Sequence, residues 1–482
     1  MKIRDQVALT FDDVLLVPQH SAISSRNAVD TSTQLTPTIR CAIPILSANM
    51  DTVTEASMAV EMARAGGIGI IHRFLSPERQ AQEVARVKRA ESYVVSDPIT
   101  IEATASLRAA VERMRELEVS GLITVDTKGK VAGILTERDL SLIDDLSGSV
   151  ADLMTPLDKL VTGRPGIPLA EARQALHRHR VEKLPLVDEE GFLKGLITAQ
   201  DILKLERHPD ATKDERGRLR VGAAIGVRDS DIPRAERCLE AGADLLVLDI
   251  AHGHSDLGIE MVTKLRKAFP KAEIMAGNVA TAVGVRDLAR AGASSIKVGV
   301  GSGSICTTRI VTGSGYPQLS AVADCSKAAR AAGVSLISDG GIRNSGDITK
   351  ALAAGADAVM LGSLLAGTTE SPGASVVRDG RRYKVVRGMA SLSANVERKE
   401  VESGAQVDPA DWERVVPEGV EAVVPYRGPV RDILHLLVGG LRSGLTYSGS
   451  SSLAELRDKA EFVRITGAGI AESGHHDVTR LS

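Results

Sequence analysis

Ala241-Gly242-Ala243-Asp244-Leu245-Leu246-Val247-Leu248 is the stretch on which the fold of this chain turns. It reads as the end of a helix, a glycine that terminates it, and entry into a strand with no polar position. A strand without polar positions is one buried on both faces. The same order of small residues recurs as Ala291-Gly292-Ala293-Ser294 and Ala354-Gly355-Ala356-Asp357, each followed by an apolar run. Apolar runs at Leu245–Leu248, Ile274–Ala276, Ile296–Val300, Leu336–Ile337 and Val359–Leu361 are separated by Ala-, Arg- and Lys-rich segments of helical period. Upstream, Ile43–Ser47 reads as a strand, Glu55–Arg64 as a helix and Gly67–Ile71 as the next strand. Alternation of β and α with short Gly-rich loops predicts a parallel sheet covered by helices. The recurrence of the motif favours a closed (β/α)8 barrel over an open sheet.

At 482 residues the chain has room for two or three domains. It is 43% hydrophobic but only 2% aromatic, so aliphatic side chains must fill the core. A formal net charge of −3 gives no overall field that would draw nucleic acid or a membrane surface. The N-terminus lacks the apolar centre of a signal peptide, and no run of about 20 apolar residues exists to span a bilayer. A cytoplasmic protein is expected. Cys41, Cys238, Cys306 and Cys325 show no CxxC spacing, which argues against both a zinc site and a disulfide framework.

One cysteine stands apart. Gly301-Ser302-Gly303-Ser304-Ile305-Cys306-Thr307-Thr308-Arg309 follows the strand-like Ser295–Val300. A Gly-rich loop lets backbone amides approach an anion closely, and a thiol in such a setting can ionise and attack carbon. The carboxyl ends of barrel strands are where barrel enzymes keep their active sites. Asp339-Gly340-Gly341 and Gly362-Ser363 end two later strands. Together with Ser304 they offer backbone amides and hydroxyls for a nucleotide phosphate. Asp339 would repel a phosphate but suits a ribose diol, which donates hydrogen bonds. His252 and His254 lie beside Asp249, with no third metal ligand at a plausible spacing.

Between residues 94 and 206 the chain changes character. Val131–Leu140 aligns with Leu193–Ile202 at a constant offset, so that Gly133, Thr136 and Asp139 match Gly195, Thr198 and Asp201. Internal duplication of this kind indicates a paired module. It resembles a tandem CBS pair, with halves 94–149 and 150–206, inserted into a barrel made of 1–93 and 207–482. The resemblance implies that Thr136, Asp139, Thr198 and Asp201 contact a regulatory adenine or guanine nucleotide. Thr-x-x-Asp before a helix serves capping as readily.

Further motifs, in order, resemble the IMP dehydrogenase/GMP reductase family over nearly the whole chain. They are Leu9-Thr10-Phe11-Asp12-Asp13-Val14-Leu15-Leu16-Val17-Pro18, Ser47–Glu55, Gly66–Arg73, the cysteine loop, Ser338–Arg343, Met360–Ser363, Arg387-Gly388-Met389 and Pro417-Glu418-Gly419. The resemblance implies a TIM barrel with a CBS pair after its second helix, in a homotetramer or octamer. It implies Cys306, Thr308 and Glu418 as catalytic residues. The purine nucleotide, GMP or IMP, would meet Ser47, Met50, Ser304, Asp339, Gly341, Gly362, Ser363, Gly388 and Met389. Met50 and Met389 taken alone would read as ordinary packing. NADPH or NAD(H) would meet Asp249, Asn278 and Gly299. A potassium ion would be held at Gly301, Gly303 and Cys306, completed by Glu472 and Ser473 from a neighbouring subunit.

Two reactions run through a purine bonded at C2 to the thiolate. The dehydrogenases oxidise IMP and then hydrolyse the adduct to XMP, using an Arg-Tyr pair on a flap after Gly-Met-Gly to activate water. The reductases expel ammonia from GMP and release IMP. Here the flap, Val396-Glu397-Arg398-Lys399-Glu400-Val401-Glu402-Ser403-Gly404-Ala405-Gln406, holds no Arg-Tyr pair, and Arg382-Tyr383 precedes Gly388. Lysine after Arg398 is a poor substitute for tyrosine in a hydrogen-bonded base. Gly388-Met389-Ala390-Ser391 and Thr312–Ser320 also look like the reductase versions. The expectation is GMP reductase, with IMP dehydrogenase as the alternative. A catalytically silent nucleotide sensor is the alternative of another class.

Overall fold

The computed structural model of the chain describes residues 3–91, 93–95, 98–117, 119–141, 143, 145–206, 208–403 and 416–474. These form two units. One is built from the chain up to Ala90, Asp210–Thr212 and the chain from Leu219; the other from Glu91–Pro209 and Lys213–Arg218.

In the first unit eight parallel strands close into a barrel: β1 (Ile45–Ser47), β2 (Ile68–Ile71), β3 (Val221–Ile225), β4 (Leu245–Leu248), β5 (Glu273–Val279), β6 (Ser295–Val298), β7 (Ser335–Asp339) and β8 (Ala358–Leu361). Each pairs with its sequence neighbour, and β8 returns to β1. The helices that cover it are α1 (Ala56–Arg64), α2 (Pro77–Ala90), α3 (Asp231–Glu240), α4 (Asp256–Ala268), α5 (Ala282–Ala291), α6 (Gln318–Ala332), α7 (Ser345–Ala353) and α8 (Val430–Tyr447). The (β/α)8 barrel expected from the repeated motif is the fold of this unit.

The motif's parts have separate jobs. Gly242, Gly292 and Gly355 hold φ of 102°, 110° and 112°, the left-handed geometry that ends α3, α5 and α7. The fourth residue of each motif reaches sideways. Asp244 Oδ2 accepts from Val221 N at 2.9 Å, Ser294 Oγ from Ile274 N at 3.3 Å, and Asp357 Oδ2 from Leu336 N at 2.8 Å. Each satisfies an amide at the start of the preceding strand, a group that would otherwise be orphaned at the barrel's amino end.

Strand alternation sorts the core into two layers. Leu245 and Val247 join Ile68, Ile70, Met275 and Ile337 in the barrel interior, while Leu246 and Leu248 join the larger helix-facing cluster. The hairpin Thr33–Gln34/Arg40–Cys41 carries Leu35 and Ile39 into the interior cluster, and Thr38 Oγ1 donates to Glu273 Oε1 at 2.6 Å. That hairpin fills the amino end, so the carboxyl end is where a ligand can enter. The strand predicted over Ile296–Val300 stops at Val298, because Gly299 N turns to donate to Val279 O at 3.0 Å.

Outside the barrel, Ser375–Arg378, Arg381–Arg387 and Glu421–Pro425 form an antiparallel sheet. Arg382 and Tyr383 lie inside its middle strand.

Among the described residues the second unit contains two sheets. Thr100–Glu102, Gly121–Val125, Val131–Thr136 and Thr155–Pro156 make one, and Lys183–Val187 with Leu193–Thr198 the other. The duplication seen in sequence extends to register: the hairpins carry irregularities at Thr124/Val125 and at Leu186/Val187. Thr136 is itself the N-cap of Glu137–Leu140, and Asp139 closes a capping box from the third helical position. Thr198 Oγ1 likewise donates to Asp201 Oδ2 at 2.6 Å. The caps are therefore the threonines, not the aspartates. Among the described residues no helix is long and apolar enough to cross a membrane.

Candidate active site

Three separate segments converge at the carboxyl end of the barrel. The cysteine loop leaves β6 and is tied to β7 by Ser302 Oγ, which donates to Asp339 O at 3.0 Å. The outer sheet delivers the other two. Arg387 pairs with Glu421, so the chain leaving at Gly388 meets the chain returning at Val420, with Gly388 N donating to Val420 O at 3.0 Å. Val420 N in turn donates to Ile305 O at 3.0 Å and Thr307 N to Glu418 O at 2.9 Å. A Cβ on Gly388 would stand 3.2 Å from both the Gly419 Cα and Ile305 O, so glycine is what lets three backbones approach here. Glu418 thus reaches a loop more than a hundred residues upstream.

The result is a short hydrogen-bonded chain. Cys306 Sγ donates to Thr308 Oγ1 at 3.2 Å, and Thr308 Oγ1 donates to Glu418 Oε2 at 2.8 Å. A carboxylate connected to a thiol through one hydroxyl can take up the thiol's proton and later return it to a leaving group. Cys41, Cys238 and Cys325 are all buried, and burial pushes their thiols up to about 12. They remain protonated at neutral pH, whereas Cys306 is partly exposed. A brief treatment with iodoacetamide at neutral pH is therefore expected to label Cys306 alone, and GMP to slow it. Labelling spread over several cysteines, or unaffected by nucleotide, would contradict that.

A cavity of about 460 Å³ opens over the strand ends. Its wall includes Met50, Met360 and Met389, the pair Asp249 and Arg73, and the group Asn278, Lys297 and Asp339. Arg73 Nε and Asn49 Nδ2 both donate to Asp249, each at 2.9 Å. A second cavity of about 670 Å³ has Thr308 and Glu418 in its wall, with His252, His254, Thr281 and Tyr316. Ala251 borders both.

The residues singled out in sequence divide accordingly. Met50, Asp249, Asn278, Asp339 and Met389 share the first cavity. Asn278 stands with Asp339, its Nδ2 donating to Oδ2 at 2.9 Å, so the groups assigned to cofactor and to ribose belong to one cluster. Ser47 is fully buried at the end of β1, where it accepts from Thr54 Oγ1 at 2.9 Å. Gly362 backs Met50, since a Cβ there would lie 3.0 Å from its sulfur. Ser304 is exposed at the loop's tip, Gly341 (φ 80°) closes the turn after β7, and Ser363 opens the short helix Ser363–Ala366. Gly299 O accepts from Asn278 Nδ2 at 2.8 Å. Gly301 has φ 74°, and Gly303 O accepts from Cys306 N at 3.2 Å. Glu472 and Ser473 end the short helix Gly467–Glu472 on an exposed surface. His254 pairs with Asp287 at 3.0 Å, and no group of three or more His, Cys, Asp or Glu able to hold a metal occurs among the described residues.

Lys297 and Asn395 escaped the sequence reading, and Asn49 and Arg73, quoted within motifs, were given no role. Lys297 had left a signal: a lysine inside an otherwise apolar strand. Arg398 of the flap and Asn395 just before it line the first cavity, with Arg398 Nη2 donating to Asn395 Oδ1 at 2.9 Å. Gly404, Ala405 and Gln406 of the flap lie outside the described residues.

The chain matches the family model described as the IMP dehydrogenase / GMP reductase domain over residues 8–476. It is 54% identical over 470 residues to an inosine-5'-monophosphate dehydrogenase of Nitrosopumilus maritimus, covering 98% of each chain. It is 50% identical to a GMP reductase of Leishmania donovani, covering 98% of this chain and 97% of the other. A crystal structure of a cysteine-to-alanine GMP reductase variant from Trypanosoma brucei, in complex with guanosine 5'-monophosphate, superposes with a TM-score of 0.86 at 47% identity, covering 98% of each chain.

Proposed function

The chain belongs to the IMP dehydrogenase / GMP reductase family of NAD(P)-dependent oxidoreductases, and within it we propose that this chain is a GMP reductase. The observation that carries this is the flap. No Arg-Tyr pair occurs between Met389 and Glu418, and Arg398 is followed by Lys399. Hydrolysis of a purine adduct needs a base that activates water, and a chain without one should favour the reaction that consumes none. The likeness to a GMP-bound reductase supports the same direction.

The chain's own residues take these parts. Glu418 draws the thiol proton through Thr308, and Cys306 bonds to C2 of GMP. The proton held on Glu418 returns through Thr308 to the 2-amino group, which leaves as ammonia. NADPH, when bound, supplies the hydride that goes to C2, and the thiolate departs to give IMP. The second cavity, with Thr308 and Glu418 in its wall, fits a nicotinamide facing that carbon; Asp249 and Asn278, in the wall of the first cavity, would meet the cofactor from that side, where Ala251 borders both. Potassium would be held by the carbonyls of Gly301, Gly303 and Cys306 with Glu472 and Ser473 of a second copy. These are oxygen donors, as a hard cation requires. The second unit is read as a CBS pair whose Thr136, Asp139, Thr198 and Asp201 bind a regulatory purine nucleotide in a cytoplasmic homotetramer or octamer.

The 54% identity to a dehydrogenase favours the opposite direction. One paired assay separates the two. GMP with NADPH should lose the reduced-nicotinamide absorbance and yield IMP and ammonia, while IMP with NAD should yield no XMP. Brisk formation of XMP would overturn the reductase reading.

A further inference from the structure

Lys297 lies within β6 and is 4% exposed. Its neighbours Ile296 and Val298 join the helix-facing core, so alternation turns Lys297 to the barrel interior. An ammonium there is costly unless it is paired and hydrogen-bonded. Its Nζ donates to Asn278 Oδ1 at 2.6 Å and to Asp339 Oδ2 at 2.8 Å. Asn278 Nδ2 donates to the same carboxylate oxygen at 2.9 Å and to Gly299 O at 2.8 Å. Both donors therefore hold Oδ2, and among the described residues none takes Oδ1. Asp339 is 21% exposed, at the wall of the first cavity.

A carboxylate on a single-bonded stem rotates over a broad range. Two donors on one oxygen remove that freedom and leave the other oxygen to accept from a ligand. We propose that Lys297 is a positioning residue for sugar recognition. By pinning Oδ2 it presents Oδ1 of Asp339 to the vicinal hydroxyls of a ribose, and so makes the site select ribonucleotides over 2′-deoxyribonucleotides. The inference rests on reading the cavity as a purine nucleotide site. Lys297 does not touch the reacting atoms; it acts through Asp339.

The test compares binding of GMP and 2′-deoxy-GMP to the full chain by calorimetry. Wild type should bind GMP about ten- to a hundredfold more tightly, the worth of a hydrogen bond to a charged group. In Lys297→Met the ratio should fall to within about threefold, through lost GMP affinity with 2′-deoxy-GMP little changed. A purely structural role would weaken both nucleotides alike and keep the ratio; that result overturns the proposal, as does a wild type that binds the two equally. A wild type that binds neither would instead overturn the reading of the cavity, and the proposal with it. Should Lys297→Met fail to fold, Asn278→Ala carries the test. It removes the other tether, and an unchanged ratio in that variant overturns the proposal.

Discussion

Cys306→Ala is expected to lower turnover with GMP and NADPH by at least about ten-thousandfold, the scale on which loss of an attacking nucleophile acts. GMP binding should change little, since the cavity wall of Met50, Asn278, Asp339 and Met389 does not include the thiol. Single-turnover kinetics beside equilibrium binding would separate the two effects. Retained turnover would remove the covalent route, and an equal loss of binding would make Cys306 a binding residue. The structure makes the division sharp. The sulfur's described hydrogen bond runs to Thr308, so the change removes the thiol and leaves the walls of the first cavity in place.

Glu418→Gln should cost about a hundred- to ten-thousandfold in kcat, the range of a lost general acid–base group. Its amide is isosteric but cannot take the proton that Thr308 offers across 2.8 Å. The loss should fall on ammonia release, while KM for GMP moves little. Quench-flow measurement of ammonia against IMP would locate it. An unchanged rate would assign the proton to another group. Because Glu418 also holds Thr307 N through its backbone carbonyl, a substitution confined to the side chain leaves the loop contact in place.

The barrel was legible because its signal is local. Glycines at 242, 292 and 355 end helices by their own backbone freedom, and the apolar runs after them can only be buried strands. The paired Asp244, Ser294 and Asp357 contacts were not legible, since each joins a loop to the neighbouring strand. The candidate thiol was legible in the same way: one cysteine among glycines and hydroxyls differs from three placed in helices and at a strand end. Ser47 falls inside a recognised motif next to Asn49 and Met50, which face the cavity. Its contact with Thr54 was not legible, since it depends on how the chain turns after β1.

Lys297 shows the boundary most plainly. Composition and periodicity could mark it as out of place in an apolar strand, but nothing along the chain says that its partners are Asn278 and Asp339, from the two strands on either side. The order of strands, the helix ends and the choice of Cys306 as the candidate thiol follow from short-range chemistry, in which neighbours along the chain act on each other. The link from Cys306 through Thr308 to Glu418, and the pinned carboxylate in the cavity, exist only because barrel closure and the outer sheet bring distant backbones within hydrogen-bond reach. Those contacts depend on geometry summed over many elements, which no single stretch of residues contains.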